Sequence, residues 1–392
     1  MKIDSLSFRR ILNSHAEFTT EFVVQLDDGR VGAGAAPQGE TISVYEDRED
    51  PAGPESVVAR LKMDAVLDAQ LAQETFDAYL AQNVAVLGRN NAFALSLALF
   101  NAQARTESVF RLLGRPEPSL RPPNLCLNIL NGGRHAYTNP VLSDFSEFML
   151  VSRGNNLNKI VRDHSEIQKA VRDGLNKLER VVVNGNPVHK FRTTDNRECI
   201  EFLLRVCDGL GLAGEYDLMI DASGGDLTGG GGYALGLTDA ANRSGEQFLE
   251  YWLDLVRQYG ITFLEDPFHE TDFALWAALT NADTGCMVVG DNLYSSDAAR
   301  IEDGARRRLS RAAVVKPNQS GTVTAAVRAI ETAERHDMVA ITSHRSISTE
   351  STFLSSLTCA LDVKYVKIGP LLTDYSSVVR LNEIIRLTTA AD

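Results

Sequence analysis

Six apolar, β-rich runs recur between residues 217 and 369, and each ends in a polar or charged residue or carries one near its end: DLMID, ITFLED, MVVGD, AAVVK, AITSH and YVKIG. The groups they present are Asp221, Glu265, Asp291, Lys316, His344 and Lys367, separated by 44, 26, 25, 28 and 23 residues. A spacing of about 25 residues accommodates one strand, one helix and two loops, so the pattern reads as a βα repeat. Closing such units into a barrel brings the C-terminal ends of the strands to one face, where barrel active sites lie. One charge at a strand end is ordinary, since it can simply begin a solvated loop. Six in register argue for convergence on one mouth. The 44-residue gap contains the Gly-rich segment GGDLTGGGGYALG, which can hold an extra hairpin or loop. It lacks a Gly-Lys-Ser/Thr ending and is not read as a nucleotide loop.

The first third follows other periods. Residues 3–35 alternate in short apolar runs around a turn at Asp27-Asp28-Gly29, a hairpin signature. From about Pro54 to Leu113 the apolar spacing is helical, and the Pro-rich stretch Gly114–Pro123 then breaks it. A small α+β unit over residues 1–121 is expected ahead of the repeat, which occupies 122–392. The 392 residues suit two or three domains.

A net charge of −13 argues against a nucleic-acid partner, because phosphate backbones need clustered Lys and Arg. No apolar stretch reaches membrane-span length. The opening MKIDSLSFRR has no apolar signal core, so a cytoplasmic protein is expected. Cys126, Cys199, Cys207, Cys286 and Cys359 are scattered, with no Cys-x-x-Cys pair; three have apolar surroundings and read as reduced core thiols.

Asp221, Glu265 and Asp291 place three carboxylates on successive strand ends. Like charges this close destabilise one another unless a cation lies between them. All-oxygen ligation favours a hard ion, Mg²⁺ before Zn²⁺. A lysine on the next strand, Lys316, would face that ion. An ion and an amine together suit removal of a proton beside a carboxylate.

The segment Asn128-Ile129-Leu130-Asn131-Gly132-Gly133-Arg134-His135-Ala136, followed by Ser146-Glu147-Phe148-Met149, resembles the signature of the enolase family around its catalytic His and Glu. LEDP (264–267), VGDN (289–292), KPNQSGTVT (316–324), SHRS (343–346) and VKIG (366–369) are similar to the family's barrel motifs, in order. RRILNSH (9–15) and LGRNNAFALSLA (87–98) resemble its N-terminal domain. The resemblance implies an α/β chain with an N-terminal α+β capping domain on an eight-stranded, TIM-like α/β barrel, usually a homodimer. The metal-and-lysine arrangement is a known design of enolase-superfamily sites. Carried over motif by motif, the resemblance makes Asp221, Glu265 and Asp291 ligands of a tight Mg²⁺. Lys316 would be the base, and Lys367 would hold the substrate carboxylate near the metal. Arg345 and Ser346 would grip a phosphoryl group, while His135, Glu147 and His344 would line the pocket. Glu147 also reads as a helix-start charge. His164 and His269 match no motif and read as surface residues.

Three segments depart from the family. Its Gly-Asp-Glu-Gly-Gly loop, whose glutamate handles the departing hydroxyl, is replaced by NPVHKFRTTDN (186–196), and Asp195 lies too far along to substitute. Its mobile Ser-Gly-Ala-Ser-Thr-Gly loop is replaced by QGETIS (38–43). There Gln38 and Thr41 are candidates for substrate contact, Thr41 could offer an oxygen to a second Mg²⁺, and Glu40 adds negative charge. Its Ser-Arg-Gly-Asn-Pro is Ser14-His15-Ala16-Glu17-Phe18. The metal and lysine half of the site is retained and the water-handling half is missing. This fits a relative of carboxyphosphonoenolpyruvate synthase, which exchanges the phosphate of phosphoenolpyruvate for phosphonoformate. His189, Lys190 and Arg192 would then suit a second anionic substrate, or simply belong to a remodelled surface loop. The alternatives are an ordinary phosphopyruvate hydratase and a catalytically silent scaffold. The expected small-molecule partner of the enzyme is a phosphorylated or phosphonylated carboxylic acid.

Overall fold

The computed structural model describes residues 1–39, 42–46, 50–114, 121–133, 138–183 and 185–389. The chain begins with a three-stranded antiparallel sheet of Ile3–Leu12, Phe18–Leu26 and Val31–Ala35. The Asp27-Asp28-Gly29 turn joins the last two strands, and Gly29 takes φ 86°, a left-handed conformation that glycine adopts without a Cβ clash. The sheet packs on the helix Arg89–Gln103, of which 12 residues are buried. Strand and helix approach at Gly32 and Gly34. A Cβ at Gly32 would stand 2.1 Å from the Ala102 backbone nitrogen, and one at Gly34 would stand 2.2 Å from the Ala94 carbonyl oxygen. The VGAGA composition therefore reflects close backbone approach. Helices Pro54–Met63 and Gln73–Gln82 complete this part, the first opened by a proline where the missing N–H costs nothing.

Eight strands close a barrel: Asn124–Asn131, Glu147–Ser152, Tyr216–Asp221, Phe263–Glu265, Met287–Gly290, Ala312–Val315, Val339–Ser343 and Tyr365–Lys367. The last six are the apolar runs of the sequence. One feature corrects the simple repeat. Strand Glu147–Ser152 runs antiparallel to both neighbours, pairing Asn131 with Glu147 and Glu147 with Asp221. The other pairings are parallel. Glu147 thus reaches the common mouth from the first residue of its strand, not the last. It opens a strand, so the helix-start reading is set aside.

Inside the barrel, Cys126, Met149, Val151, Met219, Phe263, Val289, Ala312, Val314, Ile341 and Tyr365 form an apolar cluster drawn from all eight strands. Such a plug makes the barrel a packed core with a floor beneath its mouth. Outside it, helices such as Leu157–Leu175, Gly245–Tyr259 and Val323–Arg335 bury one apolar stripe each. The Gly-rich gap forms a small sheet of Thr228–Gly229, Gly232–Ala234 and Asn242–Arg243. All five cysteines are free thiols; four are buried and Cys286 is half-buried. Among the described residues no helix is long and apolar enough to cross a membrane.

Candidate active site

The barrel mouth opens into a cavity of about 760 Å³ lined by Glu147, Asp221, Asp291, Lys316, Arg345 and Lys367, among others. The strand ends named from the sequence do converge. The Lys367 ammonium lies 3.0 and 2.9 Å from the two Glu265 carboxylate oxygens, 3.2 Å from Glu147 and 3.6 Å from Asp221. Lys316 forms an ion pair with Asp291. Asn128 donates to Glu147 at 2.8 Å and fixes its carboxylate from the neighbouring strand.

The turns after the strands hold these acids in place. Ser223, with φ 46°, donates its backbone N–H and its hydroxyl to Asp221 Oδ1 at 3.0 and 3.2 Å. Asp266, with φ 42°, accepts the backbone N–H groups of Asp291 and Asn292 at 2.9 and 2.8 Å. Buried Asp266 thereby sets the turn from which Asp291 projects.

Charge is unbalanced. Five carboxylates (Glu147, Asp221, Glu265, Asp266 and Asp291) surround two ammonium groups, Lys316 and Lys367, and Glu265 is wholly buried. Burial, reinforced by the Asp221 charge, pushes the Glu265 carboxyl well above the usual range. Burial opposes the Lys367 ammonium, yet Glu147, Glu265 and Asp221 outweigh it and hold its pKa well above the usual lysine value. Burial, aided by the nearby Arg380 charge, lowers His344 to about 3, so its imidazole is neutral. Asp291 Oδ1 is buried without a hydrogen-bond partner among the described residues. An excess of buried negative charge and an unused carboxylate oxygen suit a hard cation. No ready-made cage of three or more His, Cys, Asp or Glu side chains occurs among the described residues, and the lysine amines lie between the acids.

Other candidates are placed differently. Arg345 lines the cavity beside His344 and Ser346. Gln38 pairs through its backbone with Ile347 at 2.7 and 3.0 Å, and its exposed side chain does not line the cavity. His135, Glu40 and Thr41 fall outside the described residues. The segment replacing the family's acidic loop forms a hairpin, Glu179–Val183 with Asn186–Lys190, and then a helix start. His189 is buried there and bridges Val141 through its backbone, and neither Lys190 nor Arg192 lines the cavity. Asp195 accepts the Arg197 N–H at 3.0 Å and pairs with its guanidinium, away from the mouth. His164 is buried, against the surface reading, because it sits on the inward stripe of Leu157–Leu175 beside Gln168. His269 is partly exposed and bonds Thr271.

Motif reading missed Asn128, Ser223 and Asp266 as supports of the acids. Asp266 had a signal, standing directly after Glu265 at a strand end. Glu46, which accepts from both Arg345 and Gln319, had none, because those partners lie 299 and 273 residues away in the chain.

A βα barrel with a reversed second strand, acids and amines at its mouth and a sheet-and-helix cap defines the class: an α/β-barrel enzyme of the enolase superfamily. Residues 120–391 match the family described as the enolase C-terminal TIM barrel domain. The whole chain is similar to an enolase of Acidothermus cellulolyticus, 30% identical over 427 residues and covering 95% of that protein. It is equally similar to an enolase of Halobacterium salinarum, 30% identical over 414 residues and covering all of it. The chain belongs to the enolase family.

Proposed function

We propose that this chain is a Mg²⁺-dependent enzyme acting on phosphoenolpyruvate or a similar phosphorylated or phosphonylated carboxylic acid, by enolpyruvyl transfer rather than hydration. Asp221, Glu265 and Asp291 would hold the ion, which when bound supplies positive charge to the substrate carboxylate. Lys367 orients that carboxylate and neutralises the acids around it. Lys316, held by Asp291, takes or gives the proton at the substrate carbon. Arg345 and Ser346 grip the phosphoryl group, and neutral His344 shapes the wall beside them. Residues 1–121 act as the cap and 122–392 as the catalytic unit.

The observation that carries the transfer reading is the fate of residues 186–196. They form a hairpin strand and a helix cap, and supply no carboxylate to the cavity. A proton donor that assists hydroxide departure typically contributes about 10²–10⁴ in rate. Exchange of phosphate for phosphonoformate on phosphoenolpyruvate needs no such departure. The second reading is phosphopyruvate hydratase, favoured by full-length similarity to proteins named enolase.

The two separate in one assay. With Mg²⁺ and 2-phosphoglycerate, ultraviolet absorbance of the enol product should rise slowly or not at all. Phosphate release from phosphoenolpyruvate should then require phosphonoformate. Hydration at the pace of a glycolytic enzyme would replace the transfer reading with the hydratase.

A further inference from the structure

A chain of hydrogen bonds joins the two ends of the site through a residue outside the barrel. Glu46 lies in the segment 42–46, which is tied through Ser43 and Val44 to the loops after two barrel strands. Its Oε2 accepts from Arg345 Nη1 at 2.7 Å, and both side chains are nearly fully buried. Its Oε1 accepts from Gln319 Nε2 at 2.8 Å. Gln319 Oε1 in turn accepts from the Ser296 hydroxyl at 2.7 Å, and Ser296 Oγ accepts the backbone N–H of Lys316 at 2.8 Å. Every donor in this series has one acceptor in line, so the polarity runs one way from Lys316 to Glu46. At the far end Arg345 is also confined by Gly39, where a Cβ would stand 1.8 Å from Nη2.

From this geometry we infer that Glu46 is a positioning residue that fixes the Arg345 guanidinium for an anionic phosphoryl group and ties it to the turn carrying Lys316. The inference rests on the role given to Arg345 above. Without Glu46 the buried guanidinium keeps its charge and loses the carboxylate that holds its Nη1 edge. The segment 42–46 is itself anchored to the barrel: Ser43 Oγ donates to the Asn292 carbonyl at 3.1 Å, and the Val44 N–H to Glu270 at 3.0 Å. Glu46 therefore acts from a fixed point. Glutamine in its place has the same shape but no charge and an NH₂ where one carboxylate oxygen stood, so the separate acceptors now given to Arg345 and Gln319 are not both kept.

The test is calorimetric binding of phosphoenolpyruvate in Mg²⁺ to the full chain and to Glu46→Gln, Arg345→Gln and the double variant. Glu46→Gln should raise Kd about tenfold, the usual scale for losing a charged hydrogen bond. Arg345→Gln should raise it further, and the double variant should equal Arg345→Gln within about twofold, because a residue acting through another adds nothing once that one is gone. Should Glu46→Gln fail to fold, Glu46→Asp keeps the charge, and its Kd should rise severalfold with the same lack of additivity. Unchanged or tighter binding by Glu46→Gln, or losses that multiply in the double variant, would overturn the inference and leave the role of Arg345 standing. Unchanged binding by Arg345→Gln would overturn that role as well.

Discussion

Glu147 and Asp221 face each other in register across two antiparallel strands, one carboxylate from the start of its strand and the other from the end. The Lys367 ammonium lies within 3.6 Å of both. Reversal of a single barrel strand is what brings a fourth strand's acid to a mouth otherwise built from C-terminal ends.

The acids should be judged by ion binding, independent of turnover. With these acids as the proposed ligands, Asp221→Asn, Glu265→Gln and Asp291→Asn should each weaken Mg²⁺ binding at least about tenfold in calorimetric titration, since each would remove a charged oxygen ligand. Far-ultraviolet circular dichroism should remain that of the parent. Parental Mg²⁺ affinity in all three would remove the ion from this position.

Lys316→Ala separates proton transfer from binding. With Lys316 as the acid/base, turnover should fall by about 10²–10⁴. Phosphoenolpyruvate Kd should stay within a few-fold of the parent, because in the proposed function Arg345 and Lys367 hold the other groups of the substrate. Normal turnover with lost affinity would mark it as an anion-holding residue.

His164 predicts an acid-side loss of stability. Burial lowers its imidazole to about 4 in the fold, against about 6.5 when exposed. The unfolded chain therefore binds a proton first as pH falls. Its contribution is fully present above about pH 6.5, is lost progressively down to about pH 4, and amounts to about 3 kcal/mol over that window. Urea unfolding at several pH values should show this slope, and His164→Gln should flatten it. An unchanged slope in the variant would assign the acid sensitivity elsewhere.

Gly32→Ala should destabilise the N-terminal sheet by about 1–3 kcal/mol or more, since the new methyl must push strand and helix backbones apart. Thermal unfolding checks this, with Gly29→Asn as a control at a turn where nothing lies within 4 Å of a Cβ and Asn tolerates the left-handed φ. Equal stability of Gly32→Ala and the parent would contradict the close approach.

Much of the site was legible in the chain because a barrel turns linear recurrence into spatial convergence. Asp221, Glu265, Asp291, Lys316, His344 and Lys367 could be placed at one mouth from spacing alone, as period and strand length fix where a parallel strand ends. The Asp27-Asp28-Gly29 turn and the helical periods of residues 54–113 were local signals of the same kind. Tertiary structure alone decided the direction of strand Glu147–Ser152, since a short apolar run reads the same in either sense. It also decided that His164 faces inward, that residues 186–196 leave the mouth, and that Glu46 meets Arg345 across 299 residues. Those outcomes depend on which surfaces meet once the chain is folded, around the barrel for the first two and between the N-terminal part and the barrel for Glu46. Hydrogen bonds between segments so far apart leave no periodic trace in either one.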